Sequence, residues 1–119
     1  MAEAWAVTVP AADTDELRLE MSSMYFFVNS SAGLSASPEW SAYAASKFGL
    51  RALAQSMARE LGPKGIHVAH IVIDGQIGEA EGDAKLEPAD IAEAYWSLYR
   101  QPRSAWTLEA DLRTWVEKF

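Results

Sequence analysis

Apolar residues change their spacing along this chain, and each change marks an element. Tyr25-Phe26-Phe27-Val28 is a compact β-prone run that ends in the turn formers Asn29, Ser30 and Ser31, which predicts a buried strand. Gly33, Ser35, Ser37 and Pro38 then make a breaker-rich loop. A helix is predicted from about 39–42 to Leu61: Ala45, Phe48, Ala52, Met57 and Leu61 recur at steps near three or four, Arg51, Arg59 and Glu60 intervene, and Gly62-Pro63 is a stop signal. Residues 66–73 are rich in β-branched side chains and read as a central strand. A strand, a long helix and a second strand with near-continuous apolar character predict a parallel βαβ unit, right-handed by default, and hence an α/β fold.

Downstream, Pro88 stands where a first helical position belongs, and Ile91, Ala94, Tyr95 and Leu98 form an apolar stripe on a helix to about Arg100, closed by Pro102. Residues 105–112 read as a short strand or an extended wrap. Leu112, Trp115, Val116 and Phe119 suggest a final helical turn packed through its aromatics. Between the second strand and that helix, 76–85 has no period and reads as a mobile acidic loop. Upstream, 1–15 reads as an extended or loose lead-in with Trp5 and Val7 pinned to the body, followed by a short helix near 15–21. No internal repeat is visible.

Composition narrows the function classes. At 119 residues, half of them apolar, the chain is about one globular domain. Seventeen acidic against ten basic residues give a net charge of -7, which repels phosphate backbones and anionic lipid surfaces, so neither nucleic acid nor membrane is an expected partner. No apolar run approaches a membrane span, and the first residues lack the basic-then-apolar order of a signal peptide, so a cytoplasmic protein is the expectation. Without cysteine there are no disulfides or thiolate metal sites. His67 and His70 lie three apart on a strand, face opposite sides and read as structural rather than as metal ligands.

The candidate chemistry sits at the start of the long helix. Tyr43 and Lys47 are four residues apart, so they share a helix face one turn from each other. A cation one turn from a phenol favours the phenolate and makes the phenol a readier proton donor. The alternative for both is an ordinary solvated helix surface, and Tyr-x-x-x-Lys alone is a weak signal. Its context is stronger. Val28-Asn29-Ser30-Ser31-Ala32-Gly33-Leu34, Pro38, Tyr43-Ala44-Ala45-Ser46-Lys47-Phe48-Gly49-Leu50 and Gly65-Ile66-His67-Val68 resemble, without gaps, the C-terminal half of the short-chain dehydrogenase/reductase family, closely over 25–77 and more weakly to Phe119.

The resemblance implies a partial Rossmann-like, doubly wound parallel sheet, with 1–24 a divergent N-terminal segment and 25–119 the C-terminal half of such a domain. It implies hydride transfer between NAD or NADP and a small carbonyl or alcohol, with Tyr43 as general acid in reduction and general base in oxidation, Lys47 assisting it and binding the nicotinamide ribose, and a serine holding the substrate oxygen. The ungapped register, thirteen positions before the tyrosine, selects Ser30, whereas the family's habit of using the second serine of a pair selects Ser31; Ser30 is the choice carried forward. Gly75 and Ile77 match the residues that meet the nicotinamide, while Asp74 and Glu79 depart from the family's proline and threonine.

The family's glycine-rich phosphate turn has no counterpart in 1–24, so the expectation is a truncated oxidoreductase, weak or inactive alone. The competing expectation is a non-enzymatic dimerisation module built on the same scaffold. An exposed sheet edge and the family's use of the equivalent helix both imply a homo-oligomer formed through the 43–61 helix. Trp96, Trp106 and Trp115 are expected in the core rather than around a substrate, and the acids of 79–90 form a solvated loop without the ligand spacing of a calcium site.

Overall fold

A four-stranded sheet carries one helix on each face. The computed structural model describes residues 4–10, 21–79 and 81–118, with backbone only for 4–10 and 21–23. In chain order the elements are β1 (Ala4–Pro10), β2 (Met21–Ser30), α1 (Ser41–Leu61), β3 (His67–Asp74), α2 (Pro88–Tyr99) and β4 (Glu109–Arg113), with a short 3-10 turn in each connection from β2 onward. The spatial order is β1-β2-β3-β4, with β2, β3 and β4 mutually parallel and β1 antiparallel to β2. The expected α/β class and parallel βαβ core are therefore present.

Alternation along β2 and β3 divides the core in two. Met24, Phe26, Ala69 and Ile71 point to one face and pack with Leu98 of α2, while Phe27 and Val68 point to the other and pack with Leu50 and Ala54 of α1. Because strands β2, β3 and β4 follow one another across the sheet while α1 and α2 lie on opposite faces, the two crossovers have opposite hands. One of them departs from the right-handed default.

Of the two readings of the lead-in, residues 4–10 take the extended one, as a strand that covers the free edge of β2. The suggested helix at 15–21 falls outside the described residues except for Met21, which begins β2. Among the described residues the expected final helical turn is only a single turn at 114–117, closed by the Glu117 N–H to the Thr114 carbonyl at 3.1 Å, and it does not pack through its aromatics: Leu112 lies within β4, Trp115 is 81% exposed, and Phe119 lies outside the described residues.

Helix α1 is where period alone misleads. Its sheet-facing side is Ala44, Leu50, Ala54, Met57, Ala58 and Leu61, whereas Ala45, Phe48 and Ala52 of the expected stripe are exposed. The helix has apolar residues on most of its circumference, so several stripes fit the same spacing. It ends through a 3-10 turn at Gly62–Lys64, and Gly65, at a φ of 82° that other residues rarely adopt, swings the chain into β3.

The acidic loop is also tied down at its base. Gly78 N–H donates to the Leu86 carbonyl at 3.0 Å and Leu86 N–H to the Gln76 carbonyl at 2.8 Å, pairing Ile77 with Leu86. Among the described residues no helix is long and apolar enough to cross a membrane, and no three acidic, histidine or cysteine side chains are grouped to hold a metal ion.

Candidate active site

The carboxyl ends of the parallel strands open onto one edge of the sheet, where ligands bind in open α/β sheets. Ser30 is the last residue of β2, Asp74 the last of β3, and Tyr43 lies in the first turn of α1, which starts beside that edge. The Ser30 and Tyr43 hydroxyl oxygens are 3.2 Å apart, and the Lys47 ammonium is 5.5 Å from the centre of the Tyr43 ring. Folding therefore joins three of the five sequence-selected residues into one group. Tyr43 is 40% exposed, so its hydroxyl is open to an incoming molecule. The Ser31 carbonyl accepts the Leu34 and Ser35 N–H groups at 2.9 and 3.0 Å, which folds the chain sharply away after Ser30.

Gly75 and Ile77 lie just past the end of β3, the neighbour of β2. Ile77 is 55% exposed, and Gly75 has a φ of 139°, with Leu86 so close that a Cβ would stand 3.3 Å from it. Asp74, which departs from the family pattern, has a partner of its own in Arg113 of β4 at 3.2 Å. Beside Tyr43, a shallow groove of about 120 Å3 is lined by Ala32, Ser35, Ser37, Trp40 and Ala44. Trp40 meets the Tyr43 ring edge-on at 5.7 Å. Sequence reasoning passed over Trp40, although its position one helical turn from Tyr43 was a usable signal. None of Trp96, Trp106 and Trp115 lines this groove. The core role expected of these tryptophans also fails for Trp96 and Trp115, at 48% and 81% exposure, whereas Trp106 is half-buried and stacked on His67 at 4.8 Å.

The two histidines do face opposite sides of the sheet, and each is engaged by protein. His67 Nε2 is 2.8 Å from the Thr107 carbonyl. On the other face, His70 is 1% exposed and lies between Asn29 at 2.7 Å and Glu109 at 3.0 Å. Arg51 grips Glu109 through two hydrogen bonds of 2.8 and 2.9 Å. That guanidinium, reinforced by His70, holds the Glu109 carboxyl below its usual range, while burial pushes both histidines towards the neutral form. The sequence signal for this cluster is a histidine flanked by Val68, Ala69, Ile71 and Val72 inside a buried strand, which must find hydrogen-bond partners.

Stability should consequently fall in mild acid. Once unfolded, both imidazoles take up protons below about pH 6.5, whereas the folded chain resists this, so their contribution is complete above that pH and is lost as the pH drops through the lowered folded values. The slope is at most about 1.4 kcal/mol per pH unit for each histidine. Urea midpoints measured between about pH 7.5 and 5 check this, and a midpoint that stays level contradicts it.

Residues 21–78 match the short chain dehydrogenase family. This part of the chain is a short-chain dehydrogenase/reductase segment. The short-chain dehydrogenase/reductase eriH of Hericium erinaceus is 68% identical over 34 residues, which are 29% of this chain and 14% of that protein. A crystal structure of a short-chain dehydrogenase from Rhodopseudomonas palustris superposes with a TM-score of 0.64 at 49% identity, over 76% of this chain and 37% of that one. A 4-hydroxyisoleucine dehydrogenase complexed with NADH and succinate gives 0.63 at 28% identity, over 79% and 44%. The chain thus spans less than half the length of the relatives it matches. The partial Rossmann-like fold expected of the short-chain dehydrogenase/reductase resemblance is the one observed.

Proposed function

We propose that this chain carries the proton-transfer half of an NAD(P)-dependent oxidoreductase acting on a small carbonyl or alcohol. The observation that supports it best is the 3.2 Å approach of the Ser30 and Tyr43 hydroxyls with the Lys47 ammonium over the same ring, at the carboxyl edge of a parallel sheet. In reduction, Tyr43 releases its hydroxyl proton to the substrate oxygen while the Ser30 hydroxyl donates a hydrogen bond to that oxygen. Lys47 stabilises the phenolate left behind. In oxidation, Tyr43 removes the alcohol proton. When bound, the nicotinamide supplies or accepts the hydride.

The donor set fits one end of that cofactor. Lys47 and Tyr43 offer polar groups to the nicotinamide ribose, and Gly75 and Ile77, both exposed, follow the end of the neighbouring strand β3. The pyrophosphate has no glycine-rich turn to meet among these 119 residues, so tight binding needs such a turn from outside them. Titration of NADH and NADPH, followed by tryptophan quenching, should therefore show weak or no saturation by the chain alone. A micromolar dissociation constant would sink this view of the phosphate end.

A second reading, an assembly module, is favoured by the outer side of α1. Phe48 and Leu53 are 40% and 49% exposed there, and Gly49 leaves open space where another backbone could approach. A homo-oligomer pairing α1 with its own copy would bury this apolar surface, at about 25 cal/mol per Å2 before association costs. Leu53→Asp should then shift the protein to monomer in light scattering across a concentration series. Wild-type protein that stays monomeric to about millimolar concentration rules the interface out.

A further inference from the structure

Behind Ser30 and Lys47 runs a closed chain of hydrogen bonds that crosses three strands and α1. Asn29 is 4% exposed and is committed in three directions. Its side-chain oxygen accepts the Ser30 N–H at 2.8 Å, and its side-chain nitrogen donates to the Lys47 carbonyl at 2.9 Å. The second hydrogen of that nitrogen points to His70 Nε2, 2.7 Å away. An amide N–H2 has no lone pair to offer, so Nε2 must be the accepting, unprotonated nitrogen. The proton then resides on Nδ1 and is donated to the Glu109 carboxylate at 3.0 Å. Arg51 fixes that carboxylate from α1. Each donor has an acceptor under one assignment of hydrogens and under no other.

We propose that Asn29 and His70 are positioning residues for the Ser30–Tyr43–Lys47 group, with Glu109 and Arg51 selecting the imidazole tautomer that makes this possible. Asn29 ties the end of β2, where Ser30 projects, to the turn of α1 from which Lys47 projects. These are the two pieces of backbone whose separation sets the distance from Ser30 to Tyr43. Turning the amide over would face its oxygen to the Lys47 carbonyl and its N–H2 to the Ser30 N–H, and both contacts would be lost. The neutral, Nδ1-protonated His70 holds the amide the right way round. Gly33 belongs to the same device: a Cβ there would stand 2.3 Å from the Asn29 side-chain nitrogen, so only glycine leaves Asn29 its place. The catalytic meaning of this arrangement rests on the function proposed above, but its geometry does not.

The test reads geometry, with no cofactor present. In protein labelled with [15N]histidine, long-range proton–nitrogen spectra at about pH 7.5 should show His70 with a protonated Nδ1 and a bare Nε2. A protonated Nε2 overturns the proposal. His70→Leu, which offers Asn29 no acceptor, should speed amide exchange at Ser30 by about tenfold, as expected for the loss of one hydrogen bond, and should move the Tyr43 ring resonances. His70→Gln, which retains an acceptor, should restore part of both. Ile71→Ala, on the opposite face of β3, supplies a control of comparable destabilisation that should leave both signals in place. Gly33→Ala should reproduce the His70→Leu pattern without altering β3. Unchanged Ser30 exchange in both His70→Leu and Gly33→Ala, or an equal response in Ile71→Ala, overturns the proposal. Absence of cofactor binding or turnover beside a correct His70 tautomer and the expected exchange pattern would instead remove the proposed function and leave the positioning network standing.

Discussion

Phe27→Ala should lower the unfolding free energy by about 3–5 kcal/mol, the range for emptying a buried aromatic site. Phe27 is 2% exposed on β2, the strand paired on both sides, and its ring fills the space between the sheet and Leu50 and Ala54 of α1. Ala54 is itself fully buried and too small to fill the void. Against a total stability of about 5–15 kcal/mol for a typical domain, such a loss leaves the chain near its unfolding threshold. It also frees α1 from the strand that carries Ser30. Urea unfolding followed by far-ultraviolet circular dichroism measures this, and a loss below about 1 kcal/mol would mean that the α1 interface collapses around the gap.

Tyr43→Phe should reduce carbonyl reduction by about 10²- to 10⁴-fold, the usual worth of a positioned general acid, with the fold intact. The reason for expecting a clean loss is that Tyr43 contributes little to the core. It is 40% exposed, and its hydroxyl touches only Ser30 among the hydrogen bonds described for it. Removing that oxygen deletes the proton donor and leaves the ring against Trp40 and beneath Lys47. Consumption of NADH or NADPH with a panel of small aldehydes and ketones, at the highest attainable cofactor concentration, reads the rate. Equal rates for wild type and Tyr43→Phe would remove Tyr43 from the mechanism. The same variant should leave the urea midpoint and the oligomeric state unchanged, which separates chemistry from assembly.

Much of this molecule is determined locally. Gly62-Pro63 ends α1 and Gly65 turns the chain into β3 because glycine and proline restrict or free particular backbone angles wherever they occur. The four-residue step from Tyr43 to Lys47 places both on one helix face as soon as the helix forms. The ten residues between Ser30 and Ser41 return the chain from the strand end to the start of that helix. Sequence by itself therefore determined the βαβ core and its class, and it marked Ser30, Tyr43 and Lys47, which the fold brings together.

Tertiary structure decided what local spacing leaves degenerate. Apolar residues surround most of α1, so contact with Phe27 and Val68, not periodicity, chose the side with Leu50 and Ala54 and left Phe48 and Leu53 outside. The stretch at 4–10 became a strand because β2 had an edge to cover, a reason that lies in its partner. Trp115 has the composition of a core residue yet stands in solvent beyond β4, its indole N–H donating to Asp83 at 3.1 Å. The Arg51–Glu109–His70–Asn29 chain joins residues 58, 39 and 41 positions apart in turn. No window of sequence contains those pairs. A buried imidazole announces that it needs partners, but which partners it meets, and hence which of its nitrogens holds the proton, follows only from the packing of β4 and α1 against β3.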